Sequence, residues 1–535
     1  MKIHGGQLVA RALRAEGVDT VFTLSGGHIV AILDGCAQEG IRIVDVRHEQ
    51  AAAHAAEAYT RLTGRLGVAL VTAGPGVTDT ITAVANAWFA GTAMLVIGGR
   101  HLLRQELKGG LQEMNHPDLF RGITAWAGTA WQTARLPEHI AFAARHAFRG
   151  RGAPVFLDIP MDVQFDVVDE ESVAWPVDYR PRTPAGADPG SLGQIVTALG
   201  KCSRPVIFAG AGGLGLEALA ERLGAPTYTN GRARGSLPHG HSLLGNHARS
   251  HAFATADLVL AFGVDWDFRV NYGEKVNPEA TVIHVDLEPT KIGWNRPIGL
   301  GIVADPARVI DQLLEQSLPV ADRGWVDEVF AAERKRQEDL ESEARTDLAE
   351  LVNPQRFGKE VGEFFGRDAI VAVDGGDIVS TTARWLQVST PGHVLDPGPF
   401  GTLGTGAPFA LAAQIIHPDK VVGLVLGDGA FGFNGFEFDT FVRLGLPVIG
   451  VMGNDGVWGN IKTFHKMMYP ERVVAADLGR RPYHEVVAAL GGHGELVTSP
   501  DELAPALKRA RASGLPSLVN VHIAETMRMS SNYSQ

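Results

Sequence analysis

The stretch Gly427–Gly459, GDGAFGFNGFEFDTFVRLGLPVIGVMGNDGVWG, opens on Gly-Asp-Gly directly after one apolar run and closes on Asn-Asp-Gly after another. Short continuous apolar runs that end in glycine-rich turns read as buried parallel strands, and the carboxyl ends of such strands face a ligand crevice. Phe433, Phe436 and Phe441 recur near helical spacing between the two runs. One strand–helix–strand crossover therefore predicts Asp428 and Asn454, 26 positions apart, side by side on adjacent parallel strands. The Asp428 carboxylate, the Asn454 amide oxygen and the Gly456 carbonyl are hard oxygen donors, suited to a Mg²⁺ that also holds phosphate oxygens. No His or Cys stands close enough in sequence to suggest zinc. Gly-Asp-Gly alone also reads as a turn with Asp as helix N-cap. The second polar strand tip is what favours a site.

The same grammar extends along the chain. GVDTVFTL, IRIVDV, GVALVT and AMLVIGG alternate with helical patterns in the first part, and RPVIFAGAG, ADLVLAFGV and ATVIHVDLEP do so in the middle. DAIVAVDGGD, KVVGLVLGDG and GLPVIGVMGND form the third set. A Pro-rich polar segment, FDVVDEESVAWPVDYRPRTPAGADPG, and a charged helical one, RGWVDEVFAAERKRQEDLESEARTDLAE, separate the three. The fold class is thus α/β, with three doubly wound parallel-sheet domains over about residues 1–170, 188–320 and 353–525. No short tandem repeat is present.

Bulk properties exclude several classes of function. A net charge of −12 argues against a nucleic-acid or acidic-membrane surface. No uninterrupted apolar run approaches about 18 residues, so no membrane span is predicted. The amphipathic start, KIHGGQLVARALRAEG, shows no secretory signal. Cys36 and Cys202 supply neither metal spacing nor a disulfide framework, which fits a reducing cytosol and a cytoplasmic location.

Taken together, Gly-Asp-Gly followed by the Asn turn, VFTLSGGHI, RHEQAAAHAAEAYTRLTG, VALVTAGPGVTDTITAVANAW, GLQE, APVFLDIPMDV and DPGPFGTLGTGAPFALAAQ resemble the thiamine diphosphate (ThDP) enzymes. The likeness covers essentially the whole chain. It is greatest to the acetolactate synthase group, which includes benzaldehyde lyase, oxalyl-CoA decarboxylase and 2-hydroxyacyl-CoA lyase. The resemblance implies a pyrimidine-binding N-terminal domain, a central domain and a diphosphate-binding C-terminal domain. It implies ThDP and Mg²⁺ as cofactors, the metal held by Asp428, Asn454 and the Gly456 carbonyl. Glu49 matches the glutamate that hydrogen-bonds the aminopyrimidine ring; read alone, it also suits a helix N-terminus. Leu403 matches the apolar wedge under the cofactor, with Gly401 offering its carbonyl. Gly376, Asp377, Gly427, Gly429, Ala430 and Trp458 complete the expected cofactor pocket. His28 and Gln112 match active-site residues of the group, and each also reads as a loop brace. His116 and His465 are further polar candidates that read equally as solvated surface.

The expected activity is carbon–carbon bond formation or cleavage on a small carbonyl substrate, a 2-keto acid or aldehyde, as in an acetolactate synthase-like carboligase. The alternative is a 2-hydroxyacyl-CoA lyase or oxalyl-CoA decarboxylase-like enzyme, against which no clear basic cluster for CoA phosphates is visible in the sequence. A non-catalytic ThDP-fold sensor or partner protein is the reading from another class. Departures from the synthase pattern include Met161 where synthases carry Lys, and Thr463-Phe464 where they carry Gln-Trp. FAGAGGLG in the middle domain reads either as a nucleotide contact, for FAD or ADP, or as a turn. The resemblance also implies a homodimer or homotetramer, with Glu49 of one chain meeting the metal site of its partner.

Overall fold

The computed structural model describes residues 2–181, 183–210, 215–346, 348 and 351–525. Three six-stranded sheets follow one another along the chain, and every pairing within them is parallel. In spatial order the first runs Arg42–Asp45, Thr20–Leu24, Gly67–Val71, Met94–Arg100, Pro154–Pro160, Trp126–Thr129. The last runs Val394–Leu395, Ile370–Asp374, Val422–Gly427, Ile449–Asn454, Ser517–His522, His493–Val497. Numbered within each sheet, both have the order 2-1-3-4-6-5. The central sheet differs: Leu244–Gly245, Thr227–Thr229, Pro205–Ala209, Leu258–Phe262, Thr281–Asp286, Leu300–Val303, or 3-2-1-4-5-6. That is the dinucleotide-binding order.

Strand residues alternate between two cores, so both faces of each sheet are covered. In the first sheet Val21, Val68, Leu70, Leu95 and Val155 face the helices Gly5–Ala15 and Leu136–Ala147. Phe22, Val44, Ala69, Val71 and Phe156 face the other way. That second face shares one continuous core with Ile370, Ala372, Leu424 and Met452 of the last sheet. Two small-residue helices, Glu49–Thr63 and Gly406–Ile416, meet there; His54 sets its ring edge on Phe409 at 5.9 Å between centroids, and the Arg61 guanidinium lies 5.1 Å from the same ring. The first and last sheets of a chain are therefore packed together, not strung apart.

Two local differences from the sequence reading stand out. Lys2–His4 is a strand, ahead of the helix Gly5–Ala15, and it pairs antiparallel with Val167–Asp169 inside the segment read as linker. Three-residue strands leave no periodicity to read. The charged segment is one helix, Arg323–Arg345, capped by the Asp322 side chain, and it is not merely a boundary: Trp325, Val326 and Val329 are buried against the central sheet's core. Half of the glycine-rich FAGAGGLG, residues 211–214, lies outside the described residues. No helix among the described residues is long and apolar enough to cross a membrane.

Candidate active site

In the first sheet the strand order reverses between Thr20–Leu24 and Gly67–Val71. The loops leaving these two strands, SGGH and TAGPGV, meet at that switch point, where open sheets bind ligands. His28 is buried, and its Nδ1 lies 3.0 Å from Thr72 Oγ1. Burial, then the nearby His101 and His116, push its pKa below the usual histidine range, so it is neutral near pH 7. Glu49 opens the helix Glu49–Thr63 and is only 8% exposed. Burial, with Asp79 adding to it, raises its pKa above that of an ordinary glutamate. The turn at Gly76 approaches it so closely that an added Cβ would stand 3.3 Å from Glu49 Oε1. At Gly74 an added Cβ would meet the Gln112 Cβ at 2.8 Å. One turn, residues 72–77, thus gathers Glu49, His28 and Gln112.

His116, equally readable as surface, is fully buried. Its Nδ1 lies 3.0 Å from Asp158 Oδ1 and its Nε2 accepts the Gly74 N–H at 2.9 Å. It holds the turn rather than meeting solvent. His465, by contrast, is on an exposed stretch with its Nδ1 3.4 Å from the Arg472 carbonyl.

The second group of predicted residues assembles at the equivalent point of the last sheet, between Ile370–Asp374 and Val422–Gly427. Strands Val422–Gly427 and Ile449–Asn454 are neighbours with Gly427 opposite Gly453, which sets Asp428 and Asn454 side by side. Asp428 is 3% exposed, and burial together with Asp455 pushes its carboxyl up to about 7. Asn454 is fully buried, and its Oδ1 has no hydrogen-bond donor. Gly376 and Asp377 close in from the preceding strand: a Cβ at Gly459 would sit 2.2 Å from Asp377 Oδ2, and one at Gly376 would sit 2.4 Å from Asn460 Nδ2. Trp458 lays its indole on Gly429, where a Cβ would collide with it at 2.3 Å, and Ala430 is buried beneath. Leu403 and Gly401 line a cavity of ≈ 420 Å³ together with Gly375, Gly376 and Ser380.

A buried carboxylate and a donor-less amide oxygen are what a hard divalent cation takes. Gly456 departs from the expectation. Its N–H donates to Asp428 Oδ2 at 3.1 Å, but its carbonyl accepts the N–H groups of both Leu478 and Gly479 at 2.8 Å. With two donors already on that oxygen, a cation there would have to displace one of those bonds. The residues fit a metal at two of three predicted positions.

Sequence reasoning missed the residues that hold these loops. Asp374, at the end of its strand, accepts the N–H groups of Gly404 (3.0 Å) and Gly406 (2.8 Å) and so fixes the turn carrying Leu403. Asn434 Nδ2 grips the Gly404 carbonyl from the other side at 2.6 Å. The Asp374 signal was present, a carboxylate at a strand end directly followed by glycine, as at Asp428. Glu437 is 1% exposed and accepts the Arg47 N–H at 2.9 Å and the Thr440 hydroxyl at 2.6 Å, tying the loop before Glu49 to the last sheet. No local pattern announces it. The two cysteines take no part, burial pushing Cys36 to about 12 and Cys202 to about 11.

Burial pushes Asp374 up to about 7 from an ordinary 3.8. The folded chain therefore keeps a proton that the unfolded chain sheds, and the associated stability is full below the ordinary value and lost as pH rises through about 7. Between about pH 5.5 and 8 the wild-type melting temperature is expected to fall by several degrees relative to Asp374→Asn. Parallel thermal scans of the metal-free proteins check this; a pH-independent gap would refute the burial of an ionisable Asp374.

Sequence models of the thiamine pyrophosphate enzymes match the N-terminal TPP-binding domain at residues 3–119, the central domain at 192–313 and the C-terminal TPP-binding domain at 374–521. The chain belongs to the thiamine pyrophosphate (thiamine diphosphate) enzyme family. It is similar to a probable acetolactate synthase of Mycobacterium bovis and an acetolactate synthase large subunit of Mycobacterium tuberculosis, each 40% identical over 97% of this chain and 95% of theirs. It is also similar to human 2-hydroxyacyl-CoA lyase 2, 34% identical over 98% of this chain and 90% of that one.

Proposed function

We propose that this chain is a ThDP- and Mg²⁺-dependent enzyme that makes or breaks a carbon–carbon bond next to a carbonyl, with small 2-keto acids or aldehydes as substrates. The observation that supports it most is the pair of half-sites at equivalent strand-order reversals, Glu49 in one and Asp428 with Asn454 in the other. ThDP, when bound, supplies a carbon nucleophile and an electron sink. Asp428 and Asn454 would hold the metal on the diphosphate. Gly376, Asp377, Gly427, Gly429, Ala430 and Trp458 would line that end, and Leu403 with Gly401 the ring junction. Glu49 would hydrogen-bond the aminopyrimidine. Neutral His28 and Gln112 would face the substrate and hydrogen-bond a developing oxyanion.

The electrostatic neighbours of Glu49 are Asp79 and His48, whereas those of Asp428 are Asp455 and backbone N–H groups. We propose that the two half-sites meet between chains of a two-fold homodimer, itself able to pair into a tetramer. Exposed apolar side chains beside each half support this: Leu107, Leu111 and Met114 next to Gln112, and Ile461, Phe464 and Met467 on the helix after Trp458.

One observation supports the acyl-CoA alternative. The cavity at Leu403 runs between the central and last sheets and is lined by Arg234, Arg249, Arg269 and His247. These are scattered in sequence, which is why no basic cluster was visible there. A neighbouring cleft at the central sheet's own strand reversal gathers Arg61, Arg151 and Arg232 around Gly210 and Gly263, the place where FAD or ADP would sit. Incubating the Mg²⁺–ThDP-loaded protein with 2-keto acids, aldehydes and 2-hydroxyacyl-CoA thioesters, with products read by mass spectrometry, decides between the readings. Acyloin or acetohydroxy-acid products support the carboligase; aldehyde plus a one-carbon acyl-CoA supports the lyase. Inertness towards all three, with ThDP bound, would leave the non-catalytic reading.

A further inference from the structure

An asparagine side chain has a donor end and an acceptor end, and a half-turn about its last bond exchanges them. Only the oxygen end serves a cation. We infer that Asn520 is a positioning residue that fixes which end of Asn454 is offered to the metal. This rests on the proposed reading of Asp428 and Asn454 as metal ligands.

Asn520 lies on the strand Ser517–His522, opposite Met452, so it is a diagonal neighbour of Asn454 on the same face of the sheet. Both side chains are fully buried. Asn454 Nδ2 donates to Asn520 Oδ1 at 3.0 Å and to the Arg481 carbonyl at 3.4 Å. Asn520 is fixed in turn, its Nδ2 donating to the same Arg481 carbonyl at 3.0 Å and lying 3.4 Å from His484 Nδ1. Two acceptors thus claim the nitrogen end of Asn454. Turned over, its oxygen would face both of them and forfeit both bonds, a costly arrangement away from water. Oδ1 is the end left without a donor. The sequence held no sign of this, because Asn520 lies 66 positions from Asn454, on a strand that reads as plain core.

The test measures Mn²⁺ affinity in the presence of ThDP, by electron paramagnetic resonance of the unbound ion. Asn520→Leu, similar in size but unable to hydrogen-bond, is expected to weaken Mn²⁺ binding ~10–100-fold, the usual loss when a group orienting a metal ligand is removed. Its metal-free form should melt below the wild type, because Asn454 Nδ2 and the Arg481 carbonyl each lose a partner; if it fails to fold, Asn520→Ser carries the same comparison. The decisive arm uses Asn454→Asp, whose two ends are both oxygen, so that orientation no longer matters. In that background Asn520→Leu should change Mn²⁺ affinity by no more than about twofold, the scatter of independent sites. Unchanged affinity in Asn520→Leu alone overturns the inference. So does an equal loss in both backgrounds, which would make Asn520 a brace for the Arg481 backbone. Wild-type Mn²⁺ binding by Asp428→Asn would refute the underlying metal reading instead.

Discussion

Glu49→Gln is expected to lower turnover ~10²–10⁴-fold, the span of a lost positioned acid–base group, while ThDP and Mg²⁺ still bind. Glutamine keeps the size of the side chain and its place at the start of the helix Glu49–Thr63. What it loses is the exchangeable proton. The carboxyl is buried and its pKa is raised, so a larger share of it is protonated at neutral pH than for an exposed glutamate. That is the form able to donate to a ring nitrogen. Steady-state rates beside a calorimetric ThDP titration check the result. Retention of more than about a tenth of wild-type turnover falls outside that span and would remove Glu49 from the role.

Asp428→Asn is expected to separate holoenzyme stability from that of the metal-free chain. In the metal-free chain the Asp428 carboxyl is buried beside Asp455 and pushed up to about 7, so neutralising it costs nothing and the variant should melt no lower than wild type. With cofactor the order reverses. At about 100 times its dissociation constant a ligand adds ~2.7 kcal/mol to stability. A direct charged ligand should matter more than the ~10–100-fold of an outer group, so at the same concentrations Asp428→Asn should gain about 0.4 kcal/mol or less. Thermal scans with and without Mg²⁺–ThDP give both numbers. Equal cofactor-induced shifts in the two proteins would place the metal elsewhere.

The fold was legible because its strands are unambiguous: IVAVD, VGLVLG and IGVMGN are continuous apolar runs between glycine turns, and the structure sets each in a parallel sheet. The strand-tip placement of the candidate residues Asp428 and Asn454 was legible for the same reason, since sequence position fixes which end of a strand they occupy. What stayed hidden depends on partners distant in sequence. Asp374 reaches Gly404, Glu437 reaches back to Arg47, and Asn520 meets Asn454. Arg61 and Arg151 join Arg232 only where the first and central domains meet. The Gly456 carbonyl shows the converse limit: spacing located the residue correctly at the cluster, but its peptide orientation is set by residues 478 and 479.

The close approaches at Gly74, Gly429 and Gly459 divide the chain for anyone who would redesign it. A single methyl at any of them collides with Gln112, Trp458 or Asp377, so a mutational library spread over these turns would return inactive clones whatever substrate is offered. The cleft residues Arg234, Arg249 and His247 carry no such restriction from the turns. Selection for a new substrate will therefore find its productive variants along the walls of the entrance and not in its floor, and a small focused library there is the efficient starting point.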